Sequence, residues 1–156
     1  MKKVLETLYN KKVKIRIYFD NCSFNRPHDD LSLLKNYLEA EAKTYIQEEI
    51  IQKKYELAWS YIMDYEVFFN PFFDRKNQIM KWKNIAVVDI NESEKIIAVA
   101  NEIMQKNIKP KDSLHIACAI EAECNYFITT DNKILSKSID KILIIDPIDF
   151  IKLAEV

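Results

Sequence analysis

The chain of 156 residues contains no glycine. Glycine-rich phosphate loops need backbone conformations that only a residue without a Cβ tolerates, so the GxGxxG dinucleotide fingerprint and the P-loop are both excluded. Asparagine also visits the left-handed region, and Asn70, Asn84, Asn107 and Asn125 stand at the ends of expected elements, where they are expected to do the capping that glycine usually does. Cysteine is scarce. Cys22, Cys118 and Cys124 are odd in number and lack metal-ligand spacing, which argues against a zinc site and for a reducing, cytoplasmic setting. Two of them read as small buried apolar residues and one as a loop residue. No apolar run reaches the roughly 18 residues a membrane span needs. The opening "MKKVLETLYNKKVK" has basic residues but no apolar core, so it does not read as a secretory signal. Excess charge is missing too: 23 basic residues face 24 acidic ones for a net of −1, whereas a nucleic-acid binder working through electrostatics alone is expected to be more basic.

What is present is apolar and periodic. A hydrophobic content of 49% supports a real core, and the length suits one domain, residues 14–156, preceded by an N-terminal extension, residues 1–13. Five short runs read as strands: "KIRIYF" (14–19), "YELAWS" (55–60), "IAVVDI" (85–90), "NYFITT" (125–130) and "KILIID" (141–146). The last three are continuously apolar, as strands covered on both faces must be. Helical patterns separate them: a long one from Asp29 or Asp30 to about residue 54, a short one in "YIMDYEVFF" stopped by Asn70-Pro71, then "ESEKIIAVANEIMQKN" and "KPKDSLHIACAIEAE". This alternation predicts an α/β domain with a central, mainly parallel sheet of about five strands and helices on both faces.

Open parallel sheets bind ligands beyond the carboxyl ends of their strands. Asp20 follows the first strand and Asp131 follows "YFITT", while Asp112 lies just after Pro110, at a helix start where the macrodipole favours the ionised carboxylate. Each acid alone also fits a local role, as a helix N-cap for Asp20 and Asp131 or a first-turn acid for Asp112. The joint pattern, two strand-end acids with a helix-start acid between them, points to a shared site. Asp64 and Glu66 share a short helix but face different sides, so at most one of them reaches it. Asp89 and Asp146 also end strands and read as caps or turn residues. His115, three residues after Asp112 on the same helical face, reads as a packing or supporting residue. Tyr18, Phe19, Trp59, Tyr126 and Phe127 read as core.

The segments "IRIYFDNCSFNRPHDD", "WSYIMDYEVFFNP", "KPKDSLHIACAIEAECNYFITTDNKIL" and "KILIIDPIDF" resemble successive motifs of the PIN domain family, in the branch of VapC-type toxins. The resemblance covers about residues 15–150 and implies a three-layer α/β/α PIN-like fold. It assigns the family's four acids to Asp20, Glu66, Asp112 and Asp131, selecting Glu66 over Asp64. Where "AECNYF" stands the family usually has glycine, which implies a different helix cap here.

The resemblance further implies a metal-dependent endoribonuclease holding Mg²⁺ or Mn²⁺ on Asp20, Glu66, Asp112 and Asp131, the same four residues serving as the catalytic set. Clustered carboxylates repel unless a cation neutralises them, and hard oxygen donors suit those ions. With the four acids set aside from a net of −1, the rest of the chain carries +3, so RNA need not be repelled. Arg26, Lys109, Lys111, Lys133 and Lys137 flank the motifs and suit phosphate contacts or, equally, a solvated surface. Asn21, Ser23, Thr129 and Thr130 adjoin the acids and suit ligand contacts or ordinary turn bonding; of these flanking groups Asn21, Ser23, Arg26, Lys111, Thr130 and Lys133 are the expected substrate-binding set. The expected partners are RNA, an antitoxin protein and a second copy of the chain, the last supported by Tyr37, Tyr45, Ile50 and Ile51 on more than one side of the long helix. The rival expectation is an inactive PIN-like module that binds RNA or protein. An aspartyl-nucleophile phosphatase is disfavoured, since its second acid belongs where Cys22 stands.

Overall fold

The computed structural model describes residues 14–25 and 30–155. The expected N-terminal extension 1–13, together with Arg26 and His28, lies outside the described residues. Five strands, β1 (Ile15–Phe19), β2 (Tyr55–Ser60), β3 (Val88–Ile90), β4 (Tyr126–Ile128) and β5 (Leu143–Ile145), form one sheet in the order β3-β2-β1-β4-β5. Every pairing is parallel, for instance Ile17 opposite Leu57 and Tyr18 opposite Phe127.

Eight helices are described: α1 (Asn21–Asn25), α2 (Leu34–Ile51), α3 (Tyr61–Phe68), α4 (Phe73–Ile85), α5 (Glu94–Met104), α6 (Pro110–Glu121), α7 (Asn132–Leu135) and α8 (Pro147–Ala154). They cover both faces and make a three-layer α/β/α sandwich. On one face the sheet's aromatic side chains meet α1 and α8: Phe24 touches Phe19 and Trp59, and Phe150 packs edge-on against Tyr55 and Tyr126. On the other, Tyr18 meets His115 of α6. The two directions follow from strand geometry, since alternate residues such as Tyr18 and Phe19 point to opposite faces.

Helix starts are written locally. Ser93 accepts from the Ile96 amide at α5, Pro110 occupies the first turn of α6, and Asp146 accepts from the Asp149 amide at α8. The expected capping by asparagine is met in part. Asn107 is left-handed at φ 62°, but Lys53 and Glu123 take the other left-handed positions, at 62° and 57°. Glu123 falls within "AECNYF", where a glycine was expected to be replaced by a different cap. The Asn125 side chain instead accepts from the Arg16 amide, tying the start of β4 to β1.

One expectation needs correction, and one helix goes beyond the expected elements. The strand expected over 85–90 begins at Val88, because Ile85 ends α4. Helix α4 itself has a weak sequence signal: only Ile79 is fully buried along it, so it lacks the apolar stripe that marks an amphipathic helix. Cys118 and Cys124 are buried, Cys124 in the connection between α6 and β4, while the exposed Cys22 lies on α1.

Candidate functional site

In this strand order the chain leaves β1 towards one edge of the sheet and leaves β4 towards the other, so a crevice opens between their carboxyl ends. Asp20 stands at the end of β1. It is only 2% exposed, accepting from the Ser23 amide at 2.9 Å and from the Thr129 hydroxyl at 2.5 Å. Burial pushes its carboxyl up to about 6, with the bonds from Thr129 and Ser23 and the charge of His115 limiting the rise.

Asp131 is reached from β4 through Thr129 and Thr130. It is half-buried, and one oxygen accepts from the Lys133 amide at 2.9 Å, so it does cap α7, the local role open to it from the sequence. Asp112, in the first turn of α6, is also half-buried. Burial and the charges of Asp131 and Glu66 push its carboxyl up, against the pull of His115 and Lys109. Asp112 and Asp131 line one cleft of about 310 Å³, with Lys109 and Lys133 also on its walls.

Glu66 projects from α3 and meets His115 Nε2 at 2.7 Å. Burial alone raises its carboxyl, but the bond and charge of His115, then Lys111 and Asn21, outweigh it and hold the group below the ordinary glutamate value. An ionised Glu66 accepts only, so Nε2 carries the proton. The other ring nitrogen, Nδ1, lies 2.6 Å from the Tyr18 hydroxyl, itself 2.6 Å from Ser60 Oγ. Burial, then the charge of Cys118, raises the Tyr18 phenol well above its usual value, so it keeps its proton. Ser60, Tyr18, His115 and Glu66 thus form one hydrogen-bonded chain running from the sheet to the crevice.

Asp64 points elsewhere. It accepts from Trp59 Nε1 at 2.9 Å and from Lys83 at 3.0 Å, so it braces α4 rather than standing free in solvent. The charges of the other four acids bear on Cys22. Although the residue as a whole is exposed, its thiol is pushed up to about 12, first by burial and then by the charges of Asp20, Asp131, Asp112 and Glu66.

The flanking residues divide. Lys133 is exposed on the cleft wall, and the Lys111 ammonium sits 5.7 Å from the centre of the Tyr65 ring. Asn21, at the start of α1, bonds Glu66. Ser23 and Thr130 are buried; the Ser23 amide holds Asp20 and its hydroxyl donates to the Ile128 carbonyl at 2.9 Å. Tyr18 and Ser60, absent from the expected site, are part of its support. No sequence signal distinguishes them from core residues.

The donors are carboxylates, the chemistry that hard divalent cations prefer. Among the described residues no three His, Cys, Asp or Glu side chains stand close enough to grip one ion together. Mg²⁺ is commonly held by one or two carboxylates with waters and substrate phosphate completing its shell, so the donor set fits such an ion held partly through water.

Fold and site together define an all-parallel, doubly wound α/β domain with an acidic crevice at its switch point. The PIN domain model matches residues 24–139, spanning Glu66, Asp112 and Asp131, and the chain belongs to the PIN domain family, whose members are generally metal-dependent nucleases. No curated protein matches the chain. Among the described residues no helix is long and apolar enough to cross a membrane.

Proposed function

We propose that this protein is a metal-dependent endoribonuclease that hydrolyses RNA phosphodiester bonds and acts as the toxin of a toxin–antitoxin pair. The observation that carries the reading is the placing of Asp112, from α6, and Asp131, at the start of α7, on the walls of one cleft, with Asp20 at the end of β1 and Glu66 projecting from α3. Asp112 and Asp131, on the walls of one cleft, would hold Mg²⁺ or Mn²⁺ with waters and substrate phosphate completing its shell, and Asp20 and Glu66 would act on it through those waters. When bound, the ion supplies a polarised phosphoryl oxygen and an activated water.

The chain's own residues supply the rest. Ser23 and Thr129 fix the Asp20 carboxylate in a buried setting, so its orientation is set before substrate arrives. Glu66, kept ionised and turned by His115, accepts a proton from the attacking water. Lys109 and Lys133 on the cleft walls draw the phosphate towards Asp112 and Asp131.

The deciding experiment incubates the pure protein with mixed RNA plus Mg²⁺ or Mn²⁺, with and without EDTA, alongside Asp20→Asn. Metal-dependent cleavage lost in the variant supports the reading, and cleavage that survives Asp20→Asn removes the site assignment. For the toxin role, induced expression is expected to arrest growth and Asp20→Asn to relieve it. A second copy and an antitoxin are the proposed partners. Tyr37, Tyr45 and Ile51 are exposed on α2 and offer an apolar surface to either. Light scattering on the purified chain tests the dimer, and a monomer at high micromolar concentration defeats it.

A further inference from the structure

We propose that the cavity between α3, α5 and α6 is a specificity pocket that takes one unstacked nucleobase of the RNA, the nucleotide next to the phosphate at the acids. This rests on the ribonuclease reading above and names what it selects. The cavity measures about 480 Å³. Tyr65, Ile97 and Leu114 supply apolar wall, while Glu92, Asn101 and Lys111 bring polar groups to it. Apolar walls with a few placed polar groups are the usual make-up of a small-ligand site, and the volume lies within the range such sites span.

The pocket and the crevice are built on the same two helices, α3 and α6. Tyr65 immediately precedes Glu66 on α3, and Lys111 immediately precedes Asp112 on α6. Lys111 lines the pocket while its charge bears on Glu66, so a strand with its phosphate beside the acids is set to bring an adjoining base to the pocket. The Lys111 ammonium lies 5.7 Å from the Tyr65 ring centre.

The polar groups favour a base over an apolar peptide side chain. The Asn101 amide offers both a donor and an acceptor, the pairing that reads a base edge, and Glu92 accepts from base N–H groups. The Tyr65 ring, 51% exposed, presents a surface for stacking. Guanine places adjacent N–H groups before one carboxylate, so guanine is the expected preference.

The test measures binding separately from cleavage. Full-length chain carrying Asp20→Asn is titrated, by fluorescence anisotropy, into a labelled single-stranded RNA decamer with one guanosine in a uridine background and into an all-uridine decamer. Ile97→Trp fills the pocket and Asn101→Ala removes its amide; both positions are exposed, so the fold is expected to survive, as thermal melts check. Each is expected to weaken binding of the guanosine decamer about ten-fold, with the all-uridine decamer changed less than about two-fold. Unchanged affinities in both variants, with wild-type chain still cleaving RNA, overturn the pocket and leave the ribonuclease reading standing. Wild-type chain that neither binds nor cleaves RNA takes down both. Unchanged RNA affinity together with loss of a dimer in Ile97→Trp assigns the cavity to a second copy and overturns the proposal.

Discussion

Glu66 on α3 and His115 on α6, 49 residues apart in sequence, are joined by a 2.7 Å hydrogen bond whose far side continues into Tyr18. The bond fixes which way the imidazole points and keeps the carboxylate charged in a partly buried place. In His115→Ala, burial of Glu66 remains while the largest influence lowering its carboxyl disappears. The Glu66 carboxyl is therefore expected to titrate higher in the variant than in wild type, where it lies below its ordinary value, as a carbon-detected NMR titration reads directly. An unmoved titration would show that His115 does not control Glu66.

Asp20 makes stability depend on pH. Its folded value, about 6, exceeds the 3.8 of a free aspartate, so between those values the native chain binds more protons than the unfolded chain. Stability from this group is therefore present below pH 3.8 and lost as pH climbs through 6, by about 3 kcal/mol for the metal-free protein. Asp20→Asn cannot titrate. The stability of the variant relative to wild type, from urea unfolding in EDTA, is expected to rise by roughly that amount between pH 4 and pH 7. A constant difference across that range would contradict it.

Asp64 and Glu66 are two residues apart and are expected to behave oppositely. Asp64→Asn weakens a half-exposed contact with Lys83, costing less than about 1 kcal/mol, and leaves RNA cleavage intact. Glu66→Gln folds but loses cleavage. The reverse pattern, measured on the same RNA, would transfer the role to Asp64.

Mg²⁺ is expected to raise the melting temperature, since only the native chain gathers these acids; at about a hundredfold excess over the dissociation constant the gain is about 2.7 kcal/mol. Asp20→Asn is expected to blunt the shift. Identical melts in millimolar Mg²⁺ and in EDTA count heavily against a metal site.

Some elements were legible for local reasons. Helix α6 announces itself through Pro110 and its apolar turns, and its first turn places Asp112. The strands that were read correctly are short apolar runs, and Asp20 and Asp131 follow β1 and β4 closely in the chain. Helix α4 was not legible: with Phe72 and Phe73 exposed and only Ile79 fully buried, its sequence lacks the periodicity that burial imposes on a helix. Strand β3 shrank because the last apolar residue before Ala86, Ile85, belongs to that helix.

By itself the sequence determined the class of fold and the acids that follow its strands and open its helices, because periodicity, proline and capping act over a few residues. Tertiary structure alone decided that Asp64 is drawn to Trp59 and Lys83 while Glu66 meets His115, that Ser23 holds Asp20, and that Tyr18 reaches His115. Those outcomes depend on contacts such as Trp59 and Lys83 with Asp64, or Ser23 with Ile128, between residues that only the packed sheet and its helices bring together.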